Sequence, residues 1–217
     1  EFCLSTSKLL GDEQWEGALA VCQAGLQLFP DDVRLRDLMG KVLDKLGRHQ
    51  EAIETQLHLA ALYDGRGESE KAQHVYEAIL AEQPDNMVTM EAMVDWALRH
   101  DRDGLATEQL VRLAESHYVA GRLSDAIDAM ERIQTLDASR MDLKVRLAEI
   151  YHEAGDVDGA HATWLAAARG LLEAGRPEEA IEVYERIVGS QPDAIGPLAE
   201  LVRAYAEAGR HEDYRRE

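Results

Sequence analysis

The 217-residue chain sets 42 Asp and Glu against 23 Lys and Arg, a formal net charge of −19 at pH 7. Such a field repels a phosphate backbone, whose neutralisation by cationic side chains supplies most nucleic-acid affinity, so nucleic acid is excluded as a partner class. Apolar and charged fractions of 46% and 30% are those of an ordered globular chain, and no apolar run approaches the ~20 residues that span a bilayer, which excludes a membrane role.

From the N-terminus, Glu1-Phe2-Cys3-Leu4 lacks the basic start and apolar stretch of a signal peptide, and a cytoplasmic setting is expected. Residues 1–29 are predicted to hold the end of one helix and a complete second one, with Trp15 packing at the latter's start. Cys3 and Cys22 are too few for a disulfide scaffold or a zinc site and read as free thiols, Cys22 as a small core residue. Residues 33–86 follow as a unit of three helices, at 34–46, 49–65 and 68–82. Met39, Leu43 and Leu46, then Ile53, Leu57, Ala60 and Tyr63, recur at the steps of three and four that mark amphipathic helices. Breaks are expected at Gly47-Arg48, Gly65-Arg66-Gly67 and Pro84-Asp85-Asn86, because glycine ends helices and proline cannot continue them. Residues 87–140 repeat the pattern with helices at 88–99, 103–120 and 122–136. Residues 141–194 repeat it again at 142–154, 157–174 and 177–189. The partial unit 195–217 holds a first helix and the beginning of a second.

One internal period joins these units. Ala18, Ala72, Ala126 and Ala180 lie 54 residues apart, as do Pro30, Pro84 and Pro192, with Ala138 in the missing proline position. Ala52, Ala106 and Ala160 form a second series, 34 residues after one member of the first and 20 before the next. Gly47, Gly155 and Gly209 share one phase, with Asp101 substituting, and Gly67, Gly121 and Gly175 share another. Burying about eight large apolar side chains per unit gives ~12–24 kcal/mol, less than the ~1–2 kcal/mol per residue lost in ordering the backbone. The units must therefore stack. The chain starts and stops inside helices, with Leu198, Leu201, Val202 and Tyr205 expected to lack cover, so it reads as a fragment of a longer protein whose uncapped ends favour end-to-end association.

The residues resemble the tetratricopeptide repeat. Leu59-Ala60-x-x-Tyr63 leads through Gly67 to Ala72-x-x-x-Tyr76 and Pro84; Ala167-Ala168-x-x-Leu171 leads through Gly175 to Ala180-x-x-x-Tyr184 and Pro192. Leu113-Ala114-x-x-His117 leads likewise to Ala126-x-x-x-Met130, and Met39-Gly40-x-x-Leu43 with Ala52, and Leu147-Ala148-x-x-Tyr151 with Ala160 and Trp164, are similar to further copies. The resemblance implies an all-α solenoid of antiparallel helices, a right-handed superhelix, over residues 1–217 as one repeat domain. The alternating 34 and 20 departs from the family: at a spacing of 20 the second helix of one repeat doubles as the first of the next, with Gln56, Leu110 and Trp164 in the double role. Either successive units alternate direction or the middle helix changes layer.

No residue pattern carries catalytic, cofactor or metal chemistry. Gly65-Arg66-Gly67 lacks the strand and the Lys-Ser or Lys-Thr of a phosphate loop, no serine sits in a Gly-x-Ser-x-Gly elbow, and the eight histidines include no zinc-ligand spacing. The chain is therefore read as a non-enzyme. His117 is expected in the core, as are Tyr63, Tyr76, Tyr151, Trp164, Tyr184 and Tyr205, while Trp96 is open to core or partner contact. The resemblance places a groove on the first helices, at Arg34, Asp37, Lys41 and Asp44, at Glu91, Asp95 and Leu98, and at Asp142, Glu149 and His152. Middle helices add Glu54, Asp64, Glu108, Glu115, Tyr118 and Arg169. Carboxylates dominate this set, which predicts a protein-interaction scaffold for a basic or amphipathic segment. A self-assembling structural module and a regulatory segment of a larger enzyme or signalling protein are the alternatives.

Overall fold

The computed structural model describes residues 2–11, 14–190 and 195–210, which form twelve α-helices and no strand. They divide into two compact units, Glu1–Arg99 and His100–Glu217. The first contains α1 (Phe2–Gly11), α2 (Trp15–Leu28), α3 (Val33–Lys45), α4 (His49–Gly65), α5 (Ser69–Glu82) and α6 (Met87–Arg99). The second contains α7 (Asp103–Val119), α8 (Leu123–Leu136), α9 (Met141–Glu153), α10 (Val157–Glu173), α11 (Pro177–Ser190) and α12 (Ile195–Glu207). Within each unit every helix packs on the one before it, as short connections between amphipathic helices require. Among the described residues no helix is long and apolar enough to cross a membrane.

The helix ends follow the local chemistry read from the sequence. Asp32 caps α3 by accepting hydrogen bonds from the Arg34 and Leu35 amides at 2.9 and 3.1 Å, and Asp156 caps α10 through the Gly159 amide at 2.9 Å. At the other ends, Gly47, Gly155 and Gly209 on one phase and Gly67, Gly121 and Gly175 on the other all have φ between 72 and 85°. At each, the next amide reaches back to a carbonyl five residues earlier, as Arg122 does to His117 at 2.9 Å. Asp101, in the missing glycine position, takes the left-handed conformation with φ 54°. A Cβ added at Gly121 would meet no atom within 4 Å, so Gly121→Ala is expected to cost about 1 kcal/mol from backbone strain alone. Asp101→Gly is expected to raise the midpoint instead. Chemical denaturation of the two variants checks both signs.

The helices bury the stripes that the spacing predicts. On α8, Ala126, Ala129, Met130 and Ile133 are buried in an i, i+3, i+4, i+7 pattern. Ala18, Ala72, Ala106, Ala126, Ala160 and Ala180 have no exposed surface and Ala52 almost none, which fits close approach between helices. Trp164 lies in one cluster with Ala148 of α9 and with Ile181 and Tyr184 of α11. Leu110 is also buried, while Gln56 is half-buried.

Several side chains depart from the expectations. Trp96 is fully buried and packs on Tyr76 at 6.0 Å between ring centroids, so it is core and not a partner contact. Tyr63 and Tyr151 are only half-buried. Leu201 and Tyr205, expected to lack cover, are buried within the cluster that α11 contributes to, and Leu198 and Val202 are half-buried. Pro192 and residues 211–217, where the next helix was expected to begin, lie outside the described residues.

Candidate functional site

In the first unit Arg34, Lys41, Asp44, Glu54, Glu91 and Asp95 of the predicted groove are exposed, while Asp37, Asp64 and Leu98 are half-buried. Lys41 bridges to Asp37 at 2.7 Å along α3, and Asp44 meets the His49 ring at 2.8 Å. Among the described residues Glu54 accepts only a long hydrogen bond from Gln50, 3.4 Å. Glu91 and Asp95 are exposed on α6, while Leu98 is half-buried between their polar stripe and the core. Asp64 of α4 pairs with Arg99 of α6 at 3.2 Å. Glu91 has no ion-pair partner among the described residues.

The second unit treats its predicted carboxylates differently. Arg146 of α9 lies 3.2 Å from Glu115 of α7 and 3.2 Å from Glu149, and its guanidinium stacks 4.5 Å above the Tyr118 ring. Glu149 also pairs with Arg186 of α11. The flanking Glu115 carboxylate, with Glu149, raises the Arg146 pKa further. The predicted acidic patch is thus internally neutralised at Glu115 and Glu149, by two arginines that sequence reasoning did not select. Asp142 is likewise held by Arg140 at 2.8 Å, and His152 stacks against Trp164 at 5.5 Å. Glu108 is exposed without an ion-pair partner among the described residues.

These cross-helix contacts obey the 54-residue period. Glu115–Arg146 becomes, one period on, Arg169–Glu200, with the two signs exchanged. Asp64–Arg99 becomes Tyr118–Glu153, in which the phenol donates at 2.8 Å. Each contact joins a middle helix to the first helix of the following repeat, α4 to α6 in the first unit and α7 to α9 and α10 to α12 in the second.

Tyrosine–glutamate hydrogen bonds close the seams. Tyr184 donates to Glu200 at 2.6 Å, Tyr205 to Glu185 at 2.5 Å, and Tyr151 to Glu131. Burial, then the Glu131 carboxylate, pushes the Tyr151 phenol up to about 12; burial, reinforced by Glu200, raises Tyr184 as well. Glu200 is held low, chiefly by Arg169. A raised phenol pKa contributes stability that is complete below the unfolded value near 10 and is lost as pH climbs through the folded value. The denaturation midpoint is therefore expected to fall between about pH 10 and 12, and Tyr151→Phe or Tyr184→Phe to flatten that fall, as titration of the midpoint will show.

Two concavities accompany these faces. One of about 260 Å³ in the first unit is lined by Leu19, Met39, Leu43, Gln23, Arg36 and Glu54, among others. Another of about 150 Å³ in the second unit has Met141, Val145 and Val183 in its wall and Asp142, Glu179 and Arg186 at its edge. Neither collects the groups of a reaction. Cys22 is fully buried, 3.6 Å from the Thr6 hydroxyl, and burial pushes its thiol up, away from thiolate reactivity. His117 is buried with Nδ1 3.5 Å from the Asp125 carboxylate.

The fold and these faces define a helical repeat of the class that presents an extended surface to another protein and is in general non-catalytic. Tetratricopeptide-repeat profiles match residues 111–170 and residues 161–204. Residues 111–204 thus carry tetratricopeptide-repeat signatures, and the helical repeat around them has the all-α architecture of that family. No curated protein matches its sequence. Among solved structures, the C-terminal part of a TPR repeat-containing protein from Cytophaga hutchinsonii is 13% identical, with 95% of this chain and 93% of that one covered and a TM-score of 0.37. PilF of Pseudomonas aeruginosa is 12% identical, with 99% and 95% covered and a TM-score of 0.32. A thermophilic TPR protein of Thermus thermophilus is 16% identical, with 94% and 97% covered and a TM-score of 0.25.

Proposed function

We propose that the chain is an interaction scaffold whose acidic surface binds a basic or amphipathic protein segment, the residues in contact being drawn from Lys41, Asp44, Glu54, Glu91, Asp95, Glu115, Glu149 and His152. The observation that carries this reading is the contrast in charge compensation. Glu115 and Glu149 are neutralised within the fold, whereas Glu54 has only an amide partner and Glu91 no ion pair among the described residues. Exposed carboxylates without counter-charges leave their field available to a cation from another chain. Residues 1–99 hold 9 basic against 18 acidic side chains, 9 − 18 = −9, so the field around Glu54 and Glu91 is not cancelled by neighbours on average. The first unit is therefore the preferred contact surface, and Glu115 and Glu149 serve mainly to hold α7, α9 and α11 together.

The test is binding of a helical peptide with Lys on one face and Leu on the other. Glu54→Gln with Glu91→Gln is expected to weaken it about tenfold, mostly through a slower on-rate, while Glu115→Gln changes affinity less. Equal affinity in all variants would overturn the reading.

A further inference from the structure

The cavity of the first unit lies on the seam between α2 and α3, with α4 at its side. Leu19, Met39 and Leu43 supply its apolar wall, and Gln23, Arg36, Glu51, Glu54, Thr55 and His58 its polar lining. The repeat explains why it is open. In the second unit the same seam is closed twice by a tyrosine that reaches across to a glutamate: Tyr151 to Glu131, and Tyr205 to Glu185 at 2.5 Å. Counting back by the 54-residue period puts Leu43 in the tyrosine position and Gln23 in the glutamate position. Leu43 is buried in one cluster with Ala18 and Leu19 of α2 and carries no polar group, and Gln23 is exposed with no hydrogen bond to another described residue. The scaffold that holds a phenol elsewhere is here present without one.

We propose that this cavity is an anchor subsite for a tyrosine side chain of the protein segment that the chain binds. The ring lies against Leu19, Met39 and Leu43, removing apolar surface from water. The hydroxyl donates to the Gln23 side-chain carbonyl, in the place of the glutamate acceptors of the later repeats. A basic residue beside that tyrosine meets Glu54, whose only partner is the 3.4 Å contact from Gln50. Arg36, in the same lining, makes no ion pair with Glu54 among the described residues; its Nη2 donates to the Pro30 carbonyl at 2.6 Å. The subsite rests on the reading that the chain binds a protein segment, and it specifies one residue of that segment.

The probe is 4-methylphenol titrated into the whole chain, with toluene as the comparison, followed by amide proton–nitrogen spectra. Saturable shifts are expected at Leu19, Gln23, Met39 and Thr55, with toluene binding about fivefold more weakly for want of the hydrogen bond. Gln23→Ala, a change at an exposed position, is expected to bring the phenol down to toluene's affinity, and Leu43→Tyr to abolish both responses by closing the seam. Shifts that do not saturate, that scatter over the surface, or that are unchanged in Gln23→Ala would overturn the subsite; if Leu43→Tyr does not fold, Gln23→Ala decides. A saturable phenol response alongside failure of the basic peptide to bind removes the acidic-surface reading and keeps the cavity. The reverse result removes the cavity and keeps that reading.

Discussion

Trp96→Ala is expected to lower the stability of the first unit by about 3–5 kcal/mol, the range for deleting a large buried aromatic. Trp96 has no exposed surface and shares its helix face with Met90, Met93, Val94 and Ala97, all buried. Its ring meets Tyr76 of α5 in a tilted arrangement, 6.0 Å between centroids and 49° between planes, a geometry favoured by aromatic pairs. Truncation removes that contact and leaves a void that the surrounding backbone closes only in part. Since single-domain stabilities are about 5–15 kcal/mol, a loss of this size is a large share of the total. The measurement is the chemical-denaturation midpoint followed by circular dichroism. A shift worth under about 1 kcal/mol would mean that Trp96 is less tightly enclosed than its burial indicates.

Ala126→Leu is expected to destabilise by about 1–3 kcal/mol for the opposite reason, overfilling. Ala126 is fully buried on α8, which packs on both α7 and α9. Its equivalents Ala18, Ala72 and Ala180 are buried to the same extent, so the repeat places a methyl group wherever a third helix meets its neighbours most closely. A leucine there must displace a helix or adopt a strained rotamer. Ala162→Leu on the exposed face of α10 is the control, expected within about 0.5 kcal/mol of the unchanged chain. Equal effects at the two sites would refute close helix approach as the reason for the alanine series.

The helices were legible because their signals are local. The predicted 49–65 helix coincides with α4, and each glycine placed on the two phases ends a helix with positive φ. Asp101 shows the same rule under substitution: its backbone takes the glycine conformation because the turn requires it, and Asp tolerates that region better than most side chains. Trp96 was less legible, since periodicity puts it at the edge of an α6 stripe whose width depends on how many neighbours that helix has.

The candidate face was legible in composition but not in pairing. Glu115 and Glu149 were selected for their charge, yet their partners Arg146 and Arg186 stand 31 and 37 residues away, separations set by helix packing and not by any intrahelical spacing. A signal was nevertheless present. Glu115 and Arg146 recur at 54 residues as Arg169 and Glu200 with signs exchanged, which is what conserving an ion pair through a repeat looks like when its two ends are free to swap. The seam tyrosines carry the same kind of information: counting back from Tyr151 and Tyr205 reaches Ala97 and Leu43, neither a phenol, and of these two Leu43 lines the cavity.

The most direct test of the scaffold reading is the salt dependence of peptide affinity. The Lys and Leu helical peptide, titrated at rising NaCl concentration, is expected to lose about tenfold or more in affinity between 0.02 and 0.5 M as screening shortens the reach of Glu54 and Glu91, while a peptide with Glu in place of Lys stays unbound throughout. Affinity that is indifferent to salt, or tighter binding of the Glu peptide, would contradict an acidic binding surface.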